Sequence, residues 1–337
     1  MIKIKPIRKL IRIIKKSYNI VRFKKIALCQ IEDIKNLPQS PYSKQPNDGY
    51  QRGMDYYEES EFVRILTLTM VQFQKTQGRF PDLVAPKGFN EKILWTKFFG
   101  EIKTPESGNK LLTSRFIPED IKKDIQCPEI HWRSTAPRLP GNHEIKPGEY
   151  YIKATHGSGM FKRVRYPMTE RTLASLEKKC KKWLATPYGI EKGEWWYNVF
   201  DREIIIDEDV SGDARSIAFD FFVFHGNVEH ITLHKKGDSK NGELDELTRL
   251  DSDFCALPDA LQSFRPRVEI PDLSEDTKQR MKYYASRIGE NAPFVRVDFV
   301  LGKDEKIYLI EVTFSPANGL AKRPVELDTW LGSKWIL

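Results

Sequence analysis

Cysteine is scarce: the 337 residues include only Cys29, Cys127, Cys180 and Cys255, far apart and without a CxxC pair. That spacing excludes a disulfide framework and a cysteine-based zinc module, and no His stands at metal-ligand spacing from them. Reduced thiols in the cytoplasm are the expected state. No uninterrupted apolar run reaches the roughly 18 residues that a spanning helix needs, which excludes an integral helical membrane protein. Internal repeats are absent, and so is the GxxxxGK[ST] phosphate loop. Acidic residues are missing from positions 1–25, which hold ten Lys or Arg. Beyond that tail the chain has 45 basic against 47 acidic residues, a net charge of −2, so the overall +8 belongs to the tail. Such a body offers no general phosphate-binding field, and nucleic acid is not an expected partner.

What is present is a soluble composition, 40% hydrophobic and 30% charged, on a chain long enough for two or three lobes sharing a cleft. The first segment sets Ile7, Leu10, Ile11, Ile14, Tyr18 and Val21 on one helical stripe, with Arg8, Arg12, Lys15 and Lys16 facing away. Lys and Arg interrupt every apolar stretch, so it is not a signal peptide. Residues 1–28 are expected to lie as a basic amphipathic helix on the anionic inner leaflet of the plasma membrane. The plainer alternative is a charged helix packed on its own domain or on a partner helix. Residues 35–55, rich in Pro, Gly, Ser and Asn, read as a linker, and 29–145 as linker plus N-terminal domain.

Helices are expected over Glu61–Gln74, from an Asn90 cap through Phe98, over Thr169–Leu184 and over Ser274–Ile288. Strands are expected at Tyr150–Ala154, Glu203–Ile206, Ser216–Phe224, Val228–Leu233, Phe294–Val300 and Lys306–Phe314. Hairpin-linked strands interleaved with helices describe an α+β body rather than a parallel doubly wound sheet.

Three segments carry chemistry. In Val295–Phe299, alternation sets Arg296 and Asp298 on one face and Val295, Val297 and Phe299 on the other. Pairing Leu301 with Lys306 would set Arg296 opposite Glu311, with Asp298 diagonal to it. Glu311 lies within an apolar strand, where an unpaired charge is costly. Two carboxylates with an Arg beside them suit magnesium and phosphate oxygens; an Arg296–Glu311 salt bridge on an exposed sheet face is the alternative. Lys153 stands near a strand end before His156-Gly157-Ser158-Gly159, where glycines let backbone amides approach phosphate, unless this is an ordinary turn. Asp207, Glu208, Asp209 and Val210 close a third apolar strand and either meet a purine and its ribose or form a solvated acidic turn.

Taken in order, these segments resemble the ATP-grasp superfamily, and within it the TupA-like branch of teichuronopeptide and surface-polysaccharide synthesis. The resemblance covers roughly residues 78–335 and rests on GRFPDLVAPKGFNEKILW, YIKATHGSG, EWWYNVFDREIIIDEDV, FFVFHGNV and PFVRVDFVLGKDEKIYLIEVTFSPANG. It implies two α+β lobes with ATP in the cleft between them, a small lobe over 146–208 and a large lobe over 209–337. It also implies that Lys153 contacts the phosphates under a loop of His156, Gly157, Ser158 and Gly159. Glu208, Asp209 and Val210 would form the adenine hinge, with Asp207 just before it. Asp298 and Glu311 would hold Mg2+, Arg296 would face the transferring phosphoryl group, and Thr313 stands where many ATP-grasp enzymes use Asn as a third ligand. Two stretches depart from the branch. LLTSRFIPED replaces a segment like LADKYAVR, leaving Arg115 or Lys110 as the cation there, and Ala218-Phe219-Asp220-Phe221-Phe222 replaces DYKFF.

The function so implied is ATP-dependent amide ligation through an acyl phosphate, joining an amino acid or small amine to a uronic-acid-containing glycan or its precursor. A glycosyltransferase of the same polymer and a non-catalytic nucleotide-binding scaffold at the membrane are the rival classes.

Overall fold

The computed structural model describes residues 5–44, 52–102, 104–212, 216–237 and 244–337, with side chains from residue 20 onward. Two compact units divide the chain: 1–103 with 191–195 and 317–322, and 104–190 with 196–316 and 323–337.

The first unit is helical. Helix α1 (Lys5–Lys35) runs past residue 28, and Phe23, Ala27, Ile31 and Ile34, one turn apart, are buried. The expected stripe of Ile7, Leu10, Ile11, Ile14 and Tyr18 lies outside the residues whose side chains are described, whereas Val21 is exposed. After the single turn of α2 (Gly53–Tyr56), α3 (Glu59–Gln77) buries Phe62, Ile65, Leu66, Met70 and Phe73, a helical repeat that faces the interior. Helix α4 (Phe89–Phe98) starts earlier than Asn90 suggests. The Glu91 carboxylate accepts the Gly88 amide at 3.0 Å and so satisfies an orphan first-turn donor, while buried Asn90 donates to the Ala321 carbonyl at 2.9 Å. Lys97 is also buried, its ammonium donating to Lys192 O and to Asn318 O and Oδ1; burial lowers its pKa to about 8. No described helix is long and apolar enough to cross a membrane.

The second unit holds two antiparallel sheets. Strands β1 (Ile130–Ser134), β2 (Gly148–Ala154) and β3 (Phe161–Tyr166), helix α5 (Glu170–Ala185) and strand β4 (Ile204–Glu208) make the first, in strand order β1-β4-β2-β3. Tyr150, Ile152 and Ala154 of β2 and Ile204 and Ile206 of β4 alternate into a core shared with Leu176 and Cys180 of α5. The Thr169 hydroxyl caps α5 by accepting the Thr172 amide at 3.2 Å. β1 joins this sheet ahead of the boundary expected at residue 146.

Strands β5 (Ile217–Phe224), β6 (Asn227–Lys235) and β7 (Glu246–Leu250), helix α6 (Glu275–Gly289), strands β8 (Val295–Leu301) and β9 (Ile307–Thr313) and helix α7 (Val325–Ser333) complete the unit. The second sheet has the order β7-β6-β5-β8-β9. Phe219, Phe221, Val223, Ile231, Leu233, Val295, Val297 and Phe299 pack one face against Met281, Tyr284 and Ala285 of α6. The other face carries Asp220, Thr232, Arg296 and Asp298 beside buried Phe222 and Phe224, and the candidate site is built there. Elements α2, β1, β3, β7 and α7 have no counterpart in the sequence expectations. β3 (FKRVRY) and β7 (ELTRL) are edge strands, whose charged residues blur the apolar alternation that marks an inner strand.

Candidate functional site

The register of β8 and β9 corrects the one expected from sequence. Leu301 pairs with Ile307 rather than Lys306, and a bulge at Ile310 sets Asp298 directly opposite Glu311 and Arg296 opposite Thr313. The core imposes this. Leu309 and Val312 both enter it although three residues apart, and strict alternation forbids that. One extra residue between them restores Val312 to the core and turns Glu311 to the face of Asp298.

On that face Arg296 is held tightly. Its Nε donates to Asp298 Oδ1 at 2.7 Å and its NH2 nitrogen to Oδ2 at 2.5 Å, while Glu311 Oε2 lies 3.6 Å away. Burial acts to lower the Arg296 pKa, but Asp298, Asp220 and Glu311 outweigh it and hold the guanidinium well above its ordinary value. Burial pushes the Asp298 pKa well up, with Arg296 opposing and Asp220 and Glu311 adding to the rise. The expected alternative, an Arg296–Glu311 salt bridge, is present at 3.6 Å, between side chains that are 18% and 30% exposed and so partly covered.

Lys153 and Asp207 meet on the first sheet. Tyr151 pairs with Asp207 and Lys153 with Ile205, so the two side chains are diagonal neighbours on the face opposite Ile152 and Ile206. Lys153 Nζ lies 2.5 Å from Asp207 Oδ2 and 5.1 Å from the Tyr151 ring centroid. The second oxygen, Oδ1, is buried without a hydrogen-bond partner among the described residues. Burial raises the Asp207 pKa, against the pull of Lys153 and then of Lys110.

Of the two cations left open by the sequence, Lys110 is the one at this site. Its backbone N–H donates to Thr155 O at 2.9 Å and its Nζ to Gly157 O at 2.6 Å. Burial lowers its pKa, and the nearest charges acting on it are Glu311, Lys153 and Asp207. Arg115, one turn or so further on, is exposed. Cys127 lies in the same neighbourhood; burial, then Asp207, push its thiol up to about 12, which leaves it an unreactive thiol at neutral pH.

The loop from His156 to Gly159 is the turn of the β2–β3 hairpin. His156 is buried, its Nε2 3.1 Å from Thr186 O and its Nδ1 without a partner among the described residues; burial lowers its pKa. Gly157 has φ +83°, and a Cβ there would stand 2.6 Å from the Tyr188 ring, so only glycine fits. Ser158 and Gly159 are exposed. At the end of β4, Asp209 is occupied structurally. Its Oδ2 accepts Arg163 Nε at 2.6 Å and its Oδ1 accepts the Ser211 hydroxyl and the Gly212 amide. Glu208 Oε1 accepts the Glu129 amide, and Val210 O accepts the Lys303 amide at 3.0 Å, tying this strand end to the β8–β9 turn.

Among the described residues no three His, Cys, Asp or Glu converge at metal-ligand spacing. A magnesium ion takes one or two carboxylates and completes its shell with phosphate oxygens and water, so it needs no such cluster. Asp298 and Glu311, paired across two strands with Thr313 two residues further along β9, are hard oxygen donors of that kind, and each Asp298 oxygen keeps a lone pair beyond its bond to Arg296.

The chain is similar to several solved structures. They include the L-amino acid ligase from Bacillus licheniformis (15% identity, 78% of this chain and 57% of that chain covered, TM-score 0.41). The D-alanyl-alanine synthetase A from Vibrio cholerae is similar over 72% of this chain and 65% of that one, at 15% identity and a TM-score of 0.39. The D-alanine–D-alanine ligase from Helicobacter pylori follows at 12% identity, 68% and 58% coverage and a TM-score of 0.38. This chain thus spans less than two thirds of the length of each. No curated protein matches it. The family of TupA-like ATP-grasp proteins matches residues 92–336, which takes in both sheets and every residue placed at the candidate site above. The chain belongs to the TupA-like ATP-grasp family.

Proposed function

We propose that this chain is an ATP-dependent carboxylate–amine ligase that joins an amino acid or similar small amine to a uronic acid of a bacterial surface polysaccharide. The observation that carries the reading is the Asp298–Glu311 pair beside Arg296, with Lys110 lying within reach of the charges of Glu311, Lys153 and Asp207. Phosphoryl transfer is catalysed chiefly by positioning and by fixed charges around the transferring group, and these residues supply both signs of charge in a buried setting. Bound ATP would supply the phosphoryl group, and magnesium would offset phosphate charge. Lys110 and Lys153 would bind phosphate oxygens, and Glu208 to Val210 would offer backbone groups to the adenine. Arg296 would orient the carboxylate substrate and offset charge as its oxygen attacks the γ-phosphorus and ADP leaves. The amine nitrogen then attacks the acyl carbon, inorganic phosphate departs, and one proton is lost as the amide forms. The glycan class rests on the family resemblance.

Incubating the full chain with ATP, magnesium, uronic acids and amino acids tests the reading. ADP and phosphate released only when acid and amine are both present is the expected result; dependence on a nucleotide sugar, or binding without turnover, would replace it with the transferase or the scaffold.

The same reading includes a peripheral place at the inner face of the plasma membrane, supported by the uncompensated charge of residues 1–25. Deleting residues 1–28 removes the whole of that charge, and loss of sedimentation with anionic liposomes is expected. Because α1 continues into buried Phe23 and Ala27, a second variant exchanging Lys and Arg for Gln within residues 3–16 keeps the packed turns. Liposome binding equal to that of the intact chain in both variants would exclude the anchor.

A further inference from the structure

Strand β5 carries one acidic residue into the middle of the second sheet. Phe219, Phe221 and Val223 enter the core, so alternation turns Asp220 to the face of Arg296 and Asp298. Strand pairing then lines up Thr232 of β6, Asp220 of β5, Asp298 of β8 and Glu311 of β9 in one row across four strands. Asp220 is 8% exposed and makes no hydrogen bond or ion pair with a described residue. A buried carboxylate in that state is costly unless a cation reaches it.

Among the described residues Arg296 acts on Asp220 only through its charge, and none gives the carboxylate a hydrogen bond. Both donor nitrogens of Arg296 that reach a carboxylate are spent on Asp298, and Glu311 already stands 3.6 Å from the same guanidinium. Nor does Asp220 complete a metal site with Glu311. The two flank Asp298 on opposite sides, about 9–10 Å apart at the backbone, which is two strand spacings. Burial raises the Asp220 pKa, with Arg296 and then His234 opposing and Glu311 adding to the rise.

The surroundings suit a small cation with several donors. The Thr232 hydroxyl is directly opposite and lies 3.1 Å from His230 Nε2. His234, two residues along β6, keeps its Nε2 buried without a hydrogen-bond partner among the described residues, with Asp245 Oδ2 3.8 Å away. An ammonium group offers three N–H donors and one charge, which matches one free carboxylate flanked by a hydroxyl and a ring nitrogen. We infer that Asp220 binds the protonated amino group of the amine cosubstrate, one strand away from the carboxylates and arginine at which the acyl phosphate would form; the ammonium gives up one proton to water before its nitrogen attacks, and the second is lost as the amide forms. The inference rests on the ligase reading and names the subsite for its second substrate.

Hydroxylamine separates the two. It is uncharged at neutral pH and traps an acyl phosphate as a hydroxamate without needing an ammonium site. Full-length wild type, Asp220→Asn and Asp220→Glu are assayed with ATP, magnesium and glucuronic or galacturonic acid, first with hydroxylamine and then with the common amino acids. A rise of tenfold or more in KM for the amino acid in Asp220→Asn is expected, with hydroxamate formation within about twofold of wild type and partial recovery in Asp220→Glu. Equal loss with both nucleophiles would make Asp220 a support for Arg296, and an unchanged KM would remove it from the subsite; either overturns the inference. Absence of hydroxamate and ADP in the wild type would instead overturn the ligase reading itself.

Discussion

Asp298→Asn and Glu311→Gln are each expected to lower ATP-dependent amide formation by about 10²-fold or more, the usual loss when an electrostatic contributor to the transition state is removed. Both side chains lie on one pair of the β8–β9 ladder, so neutralising either removes charge from the same small volume. The competing explanation is structural. If the carboxylates served only to neutralise Arg296, Asp298→Asn would strip a buried guanidinium of its main partner and cost several kcal/mol of stability. Turnover per folded molecule would then survive. Glu311→Gln discriminates best, because its oxygen stands 3.6 Å from the guanidinium and its loss disturbs that partner least. Rate measured against magnesium concentration, with folding followed by circular dichroism, checks both variants. Wild-type turnover at low magnesium in folded Glu311→Gln would overturn the mechanism.

Replacing Lys153 is expected to have the second largest effect, through two separable losses. Lys153→Met removes a phosphate-binding cation, and a hydrogen bond to a charged group contributes roughly 1.5–3 kcal/mol, about 10- to 150-fold in nucleotide affinity. It also leaves Asp207 buried with neither oxygen matched to a side-chain cation, since Oδ1 already has no hydrogen-bond partner among the described residues. The single variant should therefore melt lower as well as bind ATP weakly. The double variant Lys153→Met/Asp207→Asn removes the stranded charge, and it is expected to recover the melting temperature without recovering ATP affinity. Calorimetric titration of ATP beside thermal denaturation reads both quantities. If the double variant bound ATP as wild type does, Lys153 would be a structural partner of Asp207 and nothing more.

Several parts of the fold and site could be read from short stretches of sequence. Arg296 and Asp298 share a face because side chains alternate along any strand, and Val295, Val297 and Phe299 mark the opposite face as core. The hairpin through His225-Gly226-Asn227, the Thr169 and Ser274 caps and the apolar repeat of α3 are local in the same sense. Edge strands β3 and β7 are not legible in this way because their charged residues interrupt the apolar alternation.

Partner choice was not legible in this way. Asp209 sits in an acidic run that suggests a nucleotide hinge, yet its carboxylate is taken up by Arg163, 46 residues away. Lys110 and Arg115 are equivalent as cations in one segment, and only folding brings the first to Gly157 O and leaves the second in solvent. Asp220 reads as one charge within an aromatic strand until pairing with β8 sets it against Asp298. The sequence by itself determined which face of each inner strand is polar, because alternation depends only on neighbours along the chain. The tertiary structure alone decided which polar residues meet. Leu309 and Val312 both had to be buried, the bulge at Ile310 was the way to bury both, and register, once shifted by a single residue, reassigns every opposing pair beyond it.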